Sequence, residues 1–155
     1  MIAAPLALPL LAGSGLYAAW SDIRYRRLSN GLVALTATCG LGLMFVAGGM
    51  AAGGSSLLHA VTALLIGVPL FALKVVGGGD VKYYAAVAAW FPFDQGFRLL
   101  AFVSFAGMVL ALWWLILRRS GASHKRADGR QSSEKVPFGV AIACGAIIAA
   151  LAWPQ

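Results

Sequence analysis

Six apolar runs, at residues 2–20, 31–52, 57–76, 81–93, 97–117 and 136–153, leave this chain few ways to fold. A helix needs about 20 mainly apolar residues to cross a hydrocarbon core about 30 Å thick. Most of the runs have that length. The fourth is too short unless it begins near the glycines at 77–79, and Pro92 discourages extension the other way. With 61% apolar and 11% charged residues in a 155-residue chain, and a mean hydropathy of +0.84, there is too little polar surface for a soluble globule of this size. The expected fold is all-α: one membrane-embedded domain over 1–155 with six transmembrane helices, the fourth preceded by a glycine break.

The net charge of +7, from 12 Lys and Arg against five acids, raises nucleic-acid binding as one use, so its distribution must decide. Alternating the runs from an outside N-terminus puts 21–30, about 74–82 and 118–136 inside. Those segments hold 11 of the 12 basic residues, all but Arg98, the asymmetry expected of short cytoplasmic loops. The first run has no basic residue before it, while Arg24, Arg26 and Arg27 follow it. This order reads as a retained helix rather than a secretory signal. "GGSS" at 53–56 and "PFDQG" at 92–96 read as tight outer turns. The hydrophilic, basic stretch 118–136 reads as a mobile cytoplasmic loop that meets anionic lipid headgroups. Membrane lipid is the expected partner of that charge, and nucleic acid is not. No repeat of 20–50 residues is present.

Familiar cofactor and metal kits are missing. Cys39 and Cys144 lie in separate apolar runs, form no Cys-x-x-Cys pair and are far in sequence from His59 and His124, so they read as buried thiols. His59, near the outer end of the third run, reads as an interfacial residue. No phosphate loop or His-Glu-x-x-His helix occurs, and "GLGLM" at 40–44 falls inside a presumed span. No cofactor and no metal are expected.

The acids are informative. Asp94 falls in an outer turn, and Asp128 and Glu134 lie in the basic loop, where solvation accounts for them. Asp22 stands at the inner end of the first run and Asp80 opens the fourth from the same side. A charge within hydrocarbon costs about 2.5–3.5 kcal/mol even on the lenient insertion scale, so such groups are paired, wet or functional. Asp22 could pair with Arg26 and Asp80 could cap its helix, and position alone does not choose between these readings and a catalytic one. Gly77, Gly78 and Gly79 tilt the balance. Each weakens a helix by up to about 1 kcal/mol relative to Ala, and irregular backbone at membrane depth is tolerated only under protein cover or along a wet cavity. Two acids and water suffice for hydrolysis: an ionised carboxylate takes a proton from water as it attacks a peptide carbonyl, and a protonated partner polarises that carbonyl. Such a pair titrates as a unit, so sequence does not assign base and acid.

At these residues the chain resembles the type IV prepilin peptidase family of Gly-x-Gly-Asp membrane aspartic proteases. Gly77, Gly78 in the variable position, Gly79 and Asp80 match the signature, followed by Lys82. "SDIRYRRLSN" resembles the family's first aspartate segment, with Asp22, the basic pair Arg26 and Arg27, and the ending Leu28, Ser29 and Asn30; Ser29 stands where proline is common. "VPFGVAIACG" at 136–145 resembles the Pro-Phe-Gly start of the last helix. Without the cysteine-bearing insert of the bifunctional members, the chain looks like the short members that serve Flp-type tight-adherence pili, a layout shared with archaeal preflagellin peptidases. The likeness to presenilins is weaker, since no Tyr-Asp motif lies in a span.

The resemblance implies an aspartic peptidase with Asp22 and Asp80 as its catalytic pair and Gly77, Gly78 and Gly79 as the loop beside them. It further implies cleavage, without methylation, of the basic leader of a prepilin or pseudopilin at the cytoplasmic face of a prokaryotic inner membrane. Lys82, Arg27 and Asn30 are candidate substrate-binding groups, although anchoring of topology accounts for the two cations as well. The alternative is a noncatalytic transporter or pilus-assembly subunit whose acids bind ions or form structural pairs. The sequence specifies no oligomeric state.

Overall fold

The computed structural model describes residues 6–25, 27–119 and 138–152, and among them every regular element is helical. In chain order these are α1 (Ala7–Tyr25), α2 (Asn30–Ala72), α3 (Gly78–Ala88), a 3-10 turn (Phe93–Gln95), α4 (Gly96–Arg119) and α5 (Phe138–Leu151). The expected loop at 118–136 lies almost wholly outside the described residues.

A straight helix of 43 residues would be about 64 Å long, twice the thickness of a bilayer core. α2 avoids this by breaking at Gly49, whose φ of 68° and ψ of −166° are not helical. The halves on either side, 30–48 and 50–72, run back along each other, as their contacts with α3 show. At the start of α3, Lys82 meets Asn30 and Val81 meets Gly67. At its far end, the Trp90 indole N–H donates to the Thr36 carbonyl at 2.9 Å and the Phe91 carbonyl accepts from His59 at 2.9 Å. Ends 30 and 67 thus lie together, as do 36 and 59. The reversal was expected at "GGSS", 53–56, but those residues are helical; a positive-φ glycine turns the chain a few residues earlier, and Ser55 instead accepts the Phe93 N–H at 2.9 Å.

α3 is held by glycine notches. A Cβ on Gly40 would stand 2.5 Å from the Trp90 ring and one on Gly67 would stand 2.4 Å from Val81 Cγ1, so only glycine lets the side chains seat. α5 packs against α1, α3 and α4, again through small residues, with Gly15 facing Ala143 and Gly145 lying on the Val103 backbone. Trp90, Tyr83, Phe91, Leu11, Leu99 and Ile142 are fully buried between these layers.

α2 and the run 93–117 are long and apolar enough to cross a membrane. Neither is the hidden core helix of a soluble protein, because most of their apolar side chains face outward: Leu65 is 69% exposed, Phe97 82% and Trp113 60%. So many exposed large apolar side chains are consistent with a protein that sits in lipid.

The glycine break differs from expectation. Only Gly77 precedes α3, as its N-cap, while Gly78 and Gly79 form its first turn. The left-handed residue is Lys74, at φ 59°. α2 ends in a Schellman motif, in which Val75 N–H donates to the Leu70 carbonyl at 3.0 Å and Lys74 N–H to the Phe71 carbonyl at 2.9 Å. The backbone turns before the glycines, of which Gly77 and Gly78 serve close approach instead.

Candidate active site

Asp22 lies in the last turn of α1 and is buried, with 8% of its surface exposed. Its Oδ2 accepts the backbone N–H of Gly139 at 2.8 Å. Gly139 is in the first turn of α5, where N–H groups lack helical acceptors and the helix dipole favours an anion. A Cβ on Gly139 would sit 2.8 Å from that oxygen. Next to it the Ser21 hydroxyl donates to the Arg27 carbonyl at 2.9 Å, closing the connection to α2. Arg26, considered as a partner of Asp22, lies outside the described residues. Ser29, at the position where the resemblance favours proline, is the N-cap of α2 and accepts the Leu32 N–H at 3.2 Å.

Asp80 lies in the first turn of α3 and is half-buried. Its carboxyl folds back over Gly77, where a Cβ would be 2.6 Å from Oδ2. Gly78 lies on the Phe71 ring, 3.1 Å from the position of a Cβ, while a Cβ on Gly79 would reach only ordinary contact, 3.9 Å, with Leu28 Cβ. Lys82 Nζ donates to Asn30 Oδ1 at 3.5 Å. Together with the nearness of Leu28 to Gly79, this brings the segment that follows Asp22 against the segment that carries Asp80. Arg27 is exposed and adds its carbonyl to the Ser21 bond.

A cavity of about 630 Å³ opens between the second half of α2, α3, α4 and α5. Asp80, Val76 and Leu70 line one end, and His59, Phe93 and Asp94 line the other. His59 and Leu70 are 11 residues apart on α2, a separation of about 16 Å along the helix. Tyr84, one turn beyond Asp80, and Phe138 and Ile142 of α5 complete the wall near the acid. Asp22 is not among the lining residues, but the start of α5 touches both surroundings: Phe138 faces the cavity of Asp80 and the next amide holds Asp22.

His59 is buried in the bundle and, since a carbonyl only accepts, its Nδ1–H is the donor to Phe91. It ties α2 to the end of α3. One expectation, that of two buried thiols, is corrected: Cys144 is exposed and Cys39 half-buried, and both are free thiols. Among the described residues no three His, Cys, Asp or Glu side chains gather as a metal would require. The sequence reading missed the contact of Gly139 with Asp22, although "PFG" had drawn attention to that segment.

A helical chain with this much outward apolar surface, a buried Asp22 and a half-buried Asp80 is consistent with the class of membrane proteins. Comparison with protein families matches residues 10–112 to the type IV leader peptidase family, and the chain belongs to it. It is therefore a member of a peptidase family. No curated protein and no solved structure matches the chain.

Proposed function

We propose that this protein is an aspartic endopeptidase that removes the basic leader from type IV or Flp-type prepilins at the cytoplasmic face of a prokaryotic inner membrane. Its apolar segments form a multi-pass bundle of six helical segments with the N-terminus outside, in which the 11-residue α3, about 16 Å long, reaches only part of the way through the hydrocarbon core. The observation that carries this reading is that the two motif segments of a leader peptidase, far apart in sequence, meet through Lys82 and Asn30, while the start of α5 holds Asp22 by the Gly139 amide and lends Phe138 to the cavity that Asp80 lines.

One carboxylate of the pair takes a proton from water while the resulting hydroxide attacks the scissile carbonyl carbon. The protonated partner donates to the carbonyl oxygen, which becomes the hydroxyl of a tetrahedral intermediate. Collapse reforms the carbonyl, breaks the C–N bond and sends a proton to the departing amine. The substrate's apolar helix lies in the bilayer with its leader at the headgroups, so the scissile junction reaches the acids laterally. Lys82, Arg27 and Asn30 stand at that edge as leader-binding groups.

The test is cleavage of a prepilin by the purified protein, read as the mass of the mature N-terminus. Wild type should cleave, and Asp22→Asn and Asp80→Asn should each lose on the order of 10³-fold or more in kcat while remaining folded. Full turnover by either variant would remove the proposed pair and favour a noncatalytic membrane subunit.

A further inference from the structure

We infer that Gly139 is a positioning residue for this reaction: its backbone N–H holds the Asp22 carboxylate, and its missing side chain makes the room in which that carboxylate sits. The inference rests on the proposed function. It concerns a helix outside the stretch that carries the family match, which ends at residue 112.

The contact is unlike the rest of the α1–α5 interface. Elsewhere small side chains meet, as at Gly15, where a Cβ would find Ala143 Cβ at 3.3 Å. At Gly139 a backbone donor in the first turn of a helix meets a buried carboxylate oxygen at 2.8 Å, the short distance of a charge-assisted bond. A carboxylate with one oxygen fixed has its second oxygen oriented as well, which is what a base acting on a single water requires.

The room is equally specific. A Cβ on Gly139 would lie 2.8 Å from Asp22 Oδ2, 3.1 Å from Cγ and 3.2 Å from Cβ, so it meets the whole side chain and not only its tip. Something has to move, and the surroundings determine what. α5 is pinned on its other side: the Phe138 ring comes within 3.0 Å of where a Gly107 Cβ would be, and Gly145 sits on the Val103 backbone, 2.5 Å from the position of its own Cβ to Val103 Cα. α5 therefore cannot slide away towards α4, and the Asp22 carboxylate swings off the amide. Misplacing a reacting group by about 1 Å lowers rate about 10²-fold.

The experiment compares full-length wild type, Gly139→Ala and Gly15→Ala in detergent on one prepilin-type peptide. Gly15→Ala disturbs the same helix pair away from the acid. The expected result is a fall of about 10²-fold in kcat for Gly139→Ala with KM within about twofold, and a kcat within about threefold of wild type for Gly15→Ala. Wild-type kcat in Gly139→Ala, or an equal loss in Gly15→Ala, would overturn the inference. A wild type that cleaves nothing would instead count against the proposed function. The amide proton of Gly139 in glycine-labelled protein gives a second readout, independent of turnover and of whether Gly139→Ala folds. It should move upfield in Asp22→Ala, and an unmoved resonance would overturn the inference.

Discussion

Asp22 and Asp80 are kept in an otherwise apolar bundle by two different local devices. Asp22 is taken up by the backbone of a distant helix, through Gly139, whereas Asp80 lies over its own helix's N-cap, Gly77. This gives the glycines of the Gly-x-Gly-Asp signature unequal steric roles. Gly77→Ala would place a Cβ 2.6 Å from Asp80 Oδ2 and push the carboxyl out of its seat, so cleavage should drop by about 10²-fold with little change in thermal stability. Steady-state kinetics alongside a melting curve checks this, and an unchanged kcat would contradict it. At this scale what was legible was the rarity of acids in an apolar chain, which drew attention to both aspartates. The partner of Asp22 was not legible, because a backbone amide carries no residue signature and Gly139 reads as one more small residue on an apolar helix. The burial of His59 was not legible for a related reason: it is set by the turn after α3, through Phe91 and Phe93, that packs over it.

Among the elements, helix content was legible from the length of the apolar runs, and helix ends were less so. The run of three glycines looked like the break before α3, yet α2 stops at a Schellman motif that puts Lys74, a residue with a side chain, in the left-handed region. A β-carbon there costs about 1–2 kcal/mol. Lys74→Gly should therefore stabilise the protein by up to about 1 kcal/mol, since the unfolded chain gains freedom as well. Thermal unfolding in detergent would show it as a higher midpoint, and a lower one would mean that the lysine makes compensating contacts. The reversal within α2 was likewise expected a few residues late. "GGSS" and "GGM" both contain the residues that turns use, and the choice of Gly49 follows from the packing of Phe45 on Gly53, 2.3 Å from where a Cβ would be, which closes the hairpin.

For the molecule as a whole, the basic residues, the apolar spans and the family agree on a membrane protease, and the proposed topology assigns its acids to opposite faces. Asp80 and Asp94 line one cavity, but they stand at ends about 16 Å apart along α2, and Asp94 neighbours His59 rather than the glycines. Asp94→Asn should then retain cleavage within about threefold of wild type. Complete loss in a folded, inserted variant would place the chemistry at the wrong end of the cavity and reverse the topology. The central claim is that Asp22 and Asp80 come together at one proteolytic centre. The most direct measurement joins them: Asp22→Cys and Asp80→Cys in one chain whose Cys39 and Cys144 are replaced, treated in membranes with a short bis-maleimide in the presence of a prepilin-type peptide, then digested and weighed. The account predicts a cross-linked species that couples the peptide around residue 22 to the one around residue 80. Efficient labelling of both cysteines without any such species, with and without the peptide, would contradict it.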